Sequence, residues 1–219
     1  SIGILPMAQL IVPLWCLVSL GMSATMIGVA AGARSLLAAI FSIHSGAVLD
    51  RLGVRRVMIW CTIASVVLTL IYPLVPFISS IILIQLILIV ILQLLTGFMH
   101  TIGWIGCQTQ IGQLTRGSPK HMGRFTSVSN FANFFTPPLP GWAWDIGQAT
   151  PIGGAWSAAG VIAACNIALW ISASLKPVPE SVTIPKERPR MRDLWPSFLD
   201  YKEAFRLFLI PSVAFVVMA

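Results

Sequence analysis

Two long stretches of this sequence contain no Asp, Glu, Lys or Arg, at positions 57–74 and 76–115. A hydrophobic stretch of about 18 or more residues with few or no charges is long enough to cross a bilayer as a helix. Only 10% of the whole chain is charged, compared with about 25% in a typical soluble domain. The sequence therefore predicts an all-α integral membrane protein that crosses the lipid bilayer several times.

The apolar stretches divide into six predicted spans, at about positions 2–20, 23–49, 57–74, 81–107, 125–144 and 155–175. The net charge of +7 is not spread along the chain, because all Lys and Arg except Arg34 fall at positions 51–56, 116–124 and 176–206. Loops rich in Lys and Arg face the cytoplasm in membrane proteins. This distribution predicts cytoplasmic basic loops, not nucleic-acid binding, and we expect a bacterial cytoplasmic (inner) membrane.

A long charged segment follows the sixth span. We expect a six-helix transmembrane bundle over positions 1–175 and a cytoplasmic central loop over 176–206. The loop is predicted to contain an amphipathic surface helix, because its apolar residues recur at helical spacing. Positions 207–219 begin another apolar run, but at about 1.5 Å per residue it cannot cross a core of roughly 30 Å. We expect this run to be the truncated start of a seventh helix.

The stretch GAVLDRLGVRRV, at positions 46–57, places an acid and three arginines between spans two and three. Its spacing resembles the signature loop of the major facilitator superfamily, G-x-x-x-D-[RK]-x-G-x-[RK]-[RK]. The residues at the defined positions are Gly46, Asp50, Arg51, Gly53, Arg55 and Arg56. Together with six spans, a long central loop and the start of a seventh span, the sequence resembles the N-terminal half of a twelve-helix transporter.

The resemblance implies that this loop is a cytoplasmic gate. In the family, its acid meets charges and a helix N-terminus from the other half and latches the cytoplasmic side closed. The residues agree with this role, since Gly53 can adopt a positive φ in a tight turn. Asp50 at a helix C-terminus opposes the helix dipole and so needs an outside partner. The alternative is a loop that only fixes orientation, which would need the arginines but not Asp50 or the glycines.

Two further family patterns are incomplete in this chain. Where span four of the family often carries an arginine, this sequence has Gln93, so no proton-coupling role carries over from that motif. The exporter-type element near the outer end of span five is also broken, and antiport is not inferred from it. Its prolines, Pro137, Pro138 and Pro140, predict a bent or broken helix. Broken helices suit a gating element.

Arg34 is the one Lys or Arg within the predicted spans. An ionisable residue inside a membrane is costly and is a functional hypothesis by default. No acid within the spans is placed to pair with it at mid-depth. Its counter-ion is therefore an anionic substrate, an acid from the second half, or backbone carbonyls. Snorkelling of the side chain toward the outer interface is a further alternative.

Span four carries a polar stripe. Gln93, Gly97, His100 and Trp104 fall within roughly 60° of one another on a helical wheel. The resemblance implies that the first and fourth helices of each half line the central cavity, so this stripe is predicted to bind substrate. Helix packing through Gly97 is the alternative. His100 is also a candidate proton carrier, because imidazole changes its charge near neutral pH.

Other spans contribute fewer candidates. Asn130 and Asn133 lie three residues apart on one side of span five. They are predicted either to bind substrate or to form hydrogen bonds with a neighbouring helix. Trp15 is placed either in the cavity or at the membrane interface. Spans three and six are nearly all apolar, and the resemblance implies a peripheral, lipid-facing position for them.

The sequence contains no catalytic, P-loop or dinucleotide-binding motif, and its histidines and cysteines are not spaced as metal ligands. We therefore expect no enzyme activity, no cofactor and no metal site. We expect a secondary transporter, a symporter or antiporter, that moves a small anionic or polar solute by alternating access. Proton coupling is the family default. The alternative is a non-transporting scaffold or assembly subunit on the same fold.

Overall fold

The computed structural model describes residues 4–115 and 118–175. All the regular secondary structure within these ranges is helical. The helices are α1 (Ile4–Val18), α2 (Ala24–Leu52), α3 (Val54–Ile71), α4 (Val75–Ile78), α5 (Ile82–Leu114), α6 (Pro119–Phe135), α7 (Pro138–Gln148) and α8 (Gly154–Leu175), with a 3-10 turn at Tyr72–Leu74. The predicted central loop and the start of a seventh helix, at positions 176–219, lie outside the described residues.

Predicted spans three, four and six appear as long apolar helices in the described chain. Three segments of the described chain, Val54–Ile78, Ile82–Leu114 and Gly154–Ile171, are long and apolar enough to cross a bilayer. The apolar helices Pro6–Val18 and Ala24–Leu37 are shorter. The prediction of an all-α membrane fold is confirmed.

Span five is the predicted span that differs most from the structure. It forms two helices, α6 and α7, and α6 begins at Pro119, earlier than position 125. Proline is favoured at the first turn of a helix, where its missing N–H is not needed, and this explains both starts, at Pro119 and at Pro138. The predicted break at the proline cluster is confirmed, because α6 ends at Phe135, just before Pro137.

The junction between α2 and α3 is a single residue. Gly53 has φ 82°, and its N–H donates a 3.0 Å hydrogen bond to the carbonyl oxygen of Leu49. This φ is in the region that L-residues with a side chain rarely adopt, so glycine closes α2 and lets α3 begin at the next residue. The tight turn predicted at Gly53 is confirmed.

The helices pack around α3, α5 and α8. The most extensive contacts join α2 to α5, α3 to α8, α7 to α8 and α3 to α5. One apolar cluster is built on α1, with Trp15 and Cys16 at its centre, and a second joins Leu49 of α2 to Val57 and Cys61 of α3. α3 and α8 each turn one face to the interior and leave other large apolar side chains exposed, such as Trp60 and Ile171, so the lipid-facing position expected for spans three and six stays a prediction.

Candidate functional site

A cavity of about 70 Å³ lies within the helix bundle. A volume of this size has room for on the order of five water molecules. Residues of α1, α2, α3, α5 and α8 line it, together with the turn after α3. Most of its wall is apolar, and the polar groups come from α3, α5, the turn and single residues of α2 and α8. A mostly apolar pocket with a few placed polar groups is the usual form of a small-molecule site.

Arg34 forms part of the cavity wall and is only 7% exposed. Its Nη1 donates a 3.2 Å hydrogen bond to Oε1 of Gln93 on α5. Its Nε is buried and has no hydrogen-bond partner among the described residues. A buried charge held by a neutral amide alone is costly. The arrangement therefore has an unmet requirement for an acceptor, preferably one with negative charge.

No acidic residue of the described chain lines the cavity next to Arg34. The two acids within the described ranges are Asp50 and Asp145. Asp50 is on the same helix, about 24 Å further along at 1.5 Å per residue. Asp145 is exposed on α7. Neither is placed to neutralise Arg34.

Gly97 determines how closely α5 approaches α2. A Cβ at this position would lie 2.9 Å from both the carbonyl carbon and Cγ of Arg34, and closer still to the carbonyl oxygen. The two backbones are therefore in direct contact, which glycine permits. Gln93 precedes Gly97 by about one helical turn, so this contact brings its amide to the guanidinium. The packing role considered for Gly97 is the one that the structure shows.

A buried aromatic and hydroxyl pair lies beside Arg34. The hydroxyl oxygen of Tyr72 is 3.2 Å from Oγ1 of Thr96, and the Thr96 hydroxyl also donates to the carbonyl of Leu92 at 2.8 Å. The Trp15 and Tyr72 rings meet edge to face, with centroids 6.2 Å apart. Trp15 lines the cavity and is buried, which agrees with the cavity position expected for it, while its depth in the membrane stays a prediction. Tyr72, one of two tyrosines in the chain, was not among the residues predicted from the sequence to form the site.

A row of hydroxyls on α3 was also missed. Thr62, Ser65 and Thr69 all line the cavity. Each donates to a carbonyl four residues earlier, as in the bonds of Ser65 at 2.8 Å and Thr69 at 2.7 Å. Asn166 on α8 lines the cavity as well, and its Nδ2 donates to Ile162 at 3.0 Å. Spacings of three and four residues put the hydroxyls on one face, and this was the available signal.

The structure brings together some of the predicted substrate-binding residues and separates others. His100 and Arg34 both line the cavity. Gln93 is linked to this site by its hydrogen bond with Arg34. Trp104 instead stacks on Phe125 of α6, with ring centroids 5.6 Å apart. Asn130 and Asn133 are exposed on α6, away from the cavity.

The predicted gate residues surround the junction of α2 and α3. Arg51 lies in the last turn of α2, and Arg55 and Arg56 lie in the first turn of α3, with all three exposed. By their backbones, Gly46 and Asp50 belong to α2. The side-chain surroundings of Asp50 lie outside what the structure describes. Among the described residues, no group of three or more His, Cys, Asp or Glu is placed to hold a metal ion.

A cavity with a buried charge inside a bundle of apolar helices is typical of proteins that move solutes across membranes. The fold and site thus define a multi-pass integral membrane protein of the transporter class. The family model described as Major Facilitator Superfamily matches residues 5–219. The chain belongs to this superfamily of membrane transporters. No curated protein and no solved structure matches the chain.

Proposed function

We propose that this protein is a secondary active transporter that moves a small anionic or polar solute by alternating access. The observation that carries the proposal is the buried guanidinium of Arg34, which lines a cavity and has no acidic partner in the described chain. Ionisable groups within membrane helices commonly mark substrate or ion pathways. A solute with negative charge would supply the missing counter-ion during each transport cycle.

The described helices would act as the N-terminal six-helix half of the transporter. A second six-helix half would pack against it, and the two would rock about a site near the bilayer midplane. Gly46, Asp50, Arg51, Gly53, Arg55 and Arg56 would form the cytoplasmic gate, with the partner of Asp50 supplied by the second half. The exposed arginines at this junction support a cytoplasmic position for it. The membrane would be the inner membrane of a bacterium.

The predicted substrate residues would act in two groups. Arg34 would hold the charged group of the solute, with Gln93 orienting the guanidinium and His100 nearby on the cavity wall. Asn130 and Asn133 would line the opening toward the second half, with Trp104 behind them. Both asparagines are exposed on α6. Amide groups in membrane helices face protein or water instead of lipid, and this supports a position at the opening for Asn130 and Asn133.

Transport would be coupled to protons, as a symport or antiport. No carboxylate of the described residues lines the cavity. The proton would therefore be carried by His100 or by an acid of the second half. His100 is the candidate in this half because it is the one histidine of the described residues that lines the cavity.

Reconstitution of the full chain into liposomes tests the proposed function. We expect a pH gradient to drive accumulation of a small radiolabelled anion, and Arg34→Gln to abolish it. Arg124→Gln is a matched control, because Arg124 is exposed on α6 and is not part of the cavity wall. If Arg34→Gln is folded and transports as well as the unchanged protein, the substrate role of Arg34 is wrong. If no solute accumulates with folded protein, a scaffold on the same fold becomes the better explanation.

A further inference from the structure

The charge, wall and size of the cavity together point to one chemical class of solute, and this inference rests on the proposed transport function. We propose that the cavity binds a small monocarboxylate with a compact apolar body. The carboxylate would pair with Arg34, and the body would lie against α1 and α8.

The charge of the solute follows from Arg34. It is the one Lys or Arg among the described residues that line the cavity. One Nη1 proton is donated to Gln93, and the buried Nε–H has no acceptor in the described chain. The planar guanidinium can hold both oxygens of one carboxylate through neighbouring N–H groups. With the acceptors of the described chain alone, a neutral solute would leave this charge unpaired, and a dianion would bring a second charge with no partner.

The apolar body follows from the side of the cavity that α1 and α8 line. Ile11 and Val12 of α1 and Ala155, Ala159 and Ile162 of α8 are apolar, and Trp15 and Asn166 are the polar side chains that these two helices add to the wall. Most hydroxyls of a sugar would therefore be buried there without partners, which is costly. A hydrocarbon body has no hydrogen bonds to lose when it is buried against the same surface.

The polar face on α3 does not alter this conclusion. Thr62, Ser65 and Thr69 each donate their single hydroxyl proton to a carbonyl of their own helix. Their donors are therefore satisfied without a ligand. Arg34 is the one positively charged Lys or Arg of this wall, and no acid of the described chain lines the cavity beside it.

The cavity of about 70 Å³ is partly open, so its volume admits a small solute without limiting how far the solute extends from it. A body of about three to five carbon atoms beside the carboxylate fits in the room of about five water molecules. Butyrate is of this size. Butyramide has the same shape without the charge, and sulfate has charge without the apolar body.

Isothermal titration calorimetry of butyrate into the full chain in detergent micelles tests the proposal. We expect butyrate to bind, and neither butyramide nor sulfate to bind or compete at the same concentrations. Arg34→Gln should weaken butyrate binding about 10- to 100-fold, as expected for loss of a charged hydrogen-bonded partner. The matched control Arg124→Gln should bind butyrate like the unchanged protein.

A second variant keeps the test decisive if Arg34→Gln fails to fold. Ala155→Leu leaves Arg34 in place and fills part of the cavity from the partly buried start of α8. It should remain folded, as judged by a single symmetric peak in size-exclusion chromatography, and lose butyrate binding.

Three results would overturn the inference: no butyrate binding to the folded protein, equal binding of butyramide or sulfate, or binding that survives both variants. Different results would contradict the transport proposal and the binding proposal. If butyrate binds through Arg34 but does not accumulate in liposomes, the binding site stands and transport is wrong for it. If another solute is transported without butyrate binding, transport stands and the solute class is wrong.

Discussion

Nη1 of Arg34 on α2 donates a 3.2 Å hydrogen bond to Oε1 of Gln93 on α5, and both residues are buried. This bond joins the two helices that share the most extensive contact in the described bundle. It also fixes one edge of the guanidinium and leaves the buried Nε–H without a protein acceptor. The pair thus positions a charge beside the cavity without neutralising it.

Gly97→Ala should separate α5 from α2. A Cβ at Gly97 would be 2.9 Å from Cγ of Arg34 and closer to its carbonyl oxygen, which is rigid backbone. We expect the free energy of unfolding to fall by about 1–3 kcal/mol, as for other overpacked contacts. Denaturation in mixed micelles, followed by circular dichroism, measures this change.

Gly112→Ala is the matched control for that variant, since Gly112 lies on the same helix and a Cβ there would meet nothing within 4 Å. Alanine is the better helix former by about 1 kcal/mol, so the control should be neutral or slightly stabilised. Equal effects of the two substitutions would show that the contact with Arg34 is not tight.

Gln93→Glu should convert the neutral partner of Arg34 into a counter-ion. The new carboxylate can occupy the guanidinium and compete with an anionic solute for it. We expect the unfolding temperature to stay the same or rise, while butyrate binding weakens at least about tenfold. Thermal unfolding and calorimetric titration of the same sample measure the two effects.

Gln148→Glu adds the same charge at an exposed position of α7 and serves as the control. Gln148→Glu should change neither the unfolding temperature nor the affinity for butyrate. Unchanged butyrate binding by Gln93→Glu would contradict the role of Arg34 as the anion-binding group.

Gly53→Ala should strain the junction of α2 and α3. Because Gly53 has φ 82° and ψ 133°, a sparsely populated region for residues with a side chain, alanine there costs about 1–3 kcal/mol. We expect a lower free energy of unfolding and, if the junction is the proposed gate, slower transport in liposomes.

Gly28→Ala tests whether the Gly53 effect is specific, since Gly28 lies within α2 and a Cβ there meets nothing within 4 Å. This variant should transport like the unchanged protein and be neutral or slightly stabilised against unfolding, because alanine is the better helix former. An unperturbed Gly53→Ala protein would mean that the junction adapts without glycine.

His100→Gln should separate solute exchange from proton coupling. The glutamine keeps hydrogen-bonding groups on the cavity wall but cannot carry a proton. If His100 is the coupling residue of this half, counterflow exchange persists while accumulation driven by a pH gradient is lost. His121→Gln is the control, because His121 is exposed on α6. Accumulation that survives His100→Gln would mean that His100 is not the coupling residue and would favour an acid of the proposed second half.

The sequence by itself determined the elements that depend on neighbouring residues. Runs without charge are sufficient to predict membrane helices, because each unpaired charge in the bilayer is costly. Gly53 and Pro137 act on their own backbone, so the one-residue junction and the break in span five could be predicted from local chemistry. The spacing of the loop residues 46–56 was likewise enough to indicate the family.

The tertiary structure decided which polar residues share a cavity. Arg34 and Gln93 are 59 residues apart in the chain, and their contact depends on the α2–α5 crossing at Gly97. The helical wheel of span four placed Trp104 with His100, but packing against α6 gives Trp104 a partner in Phe125. A single helix shows which residues share a face, whereas the neighbouring helices decide what that face meets.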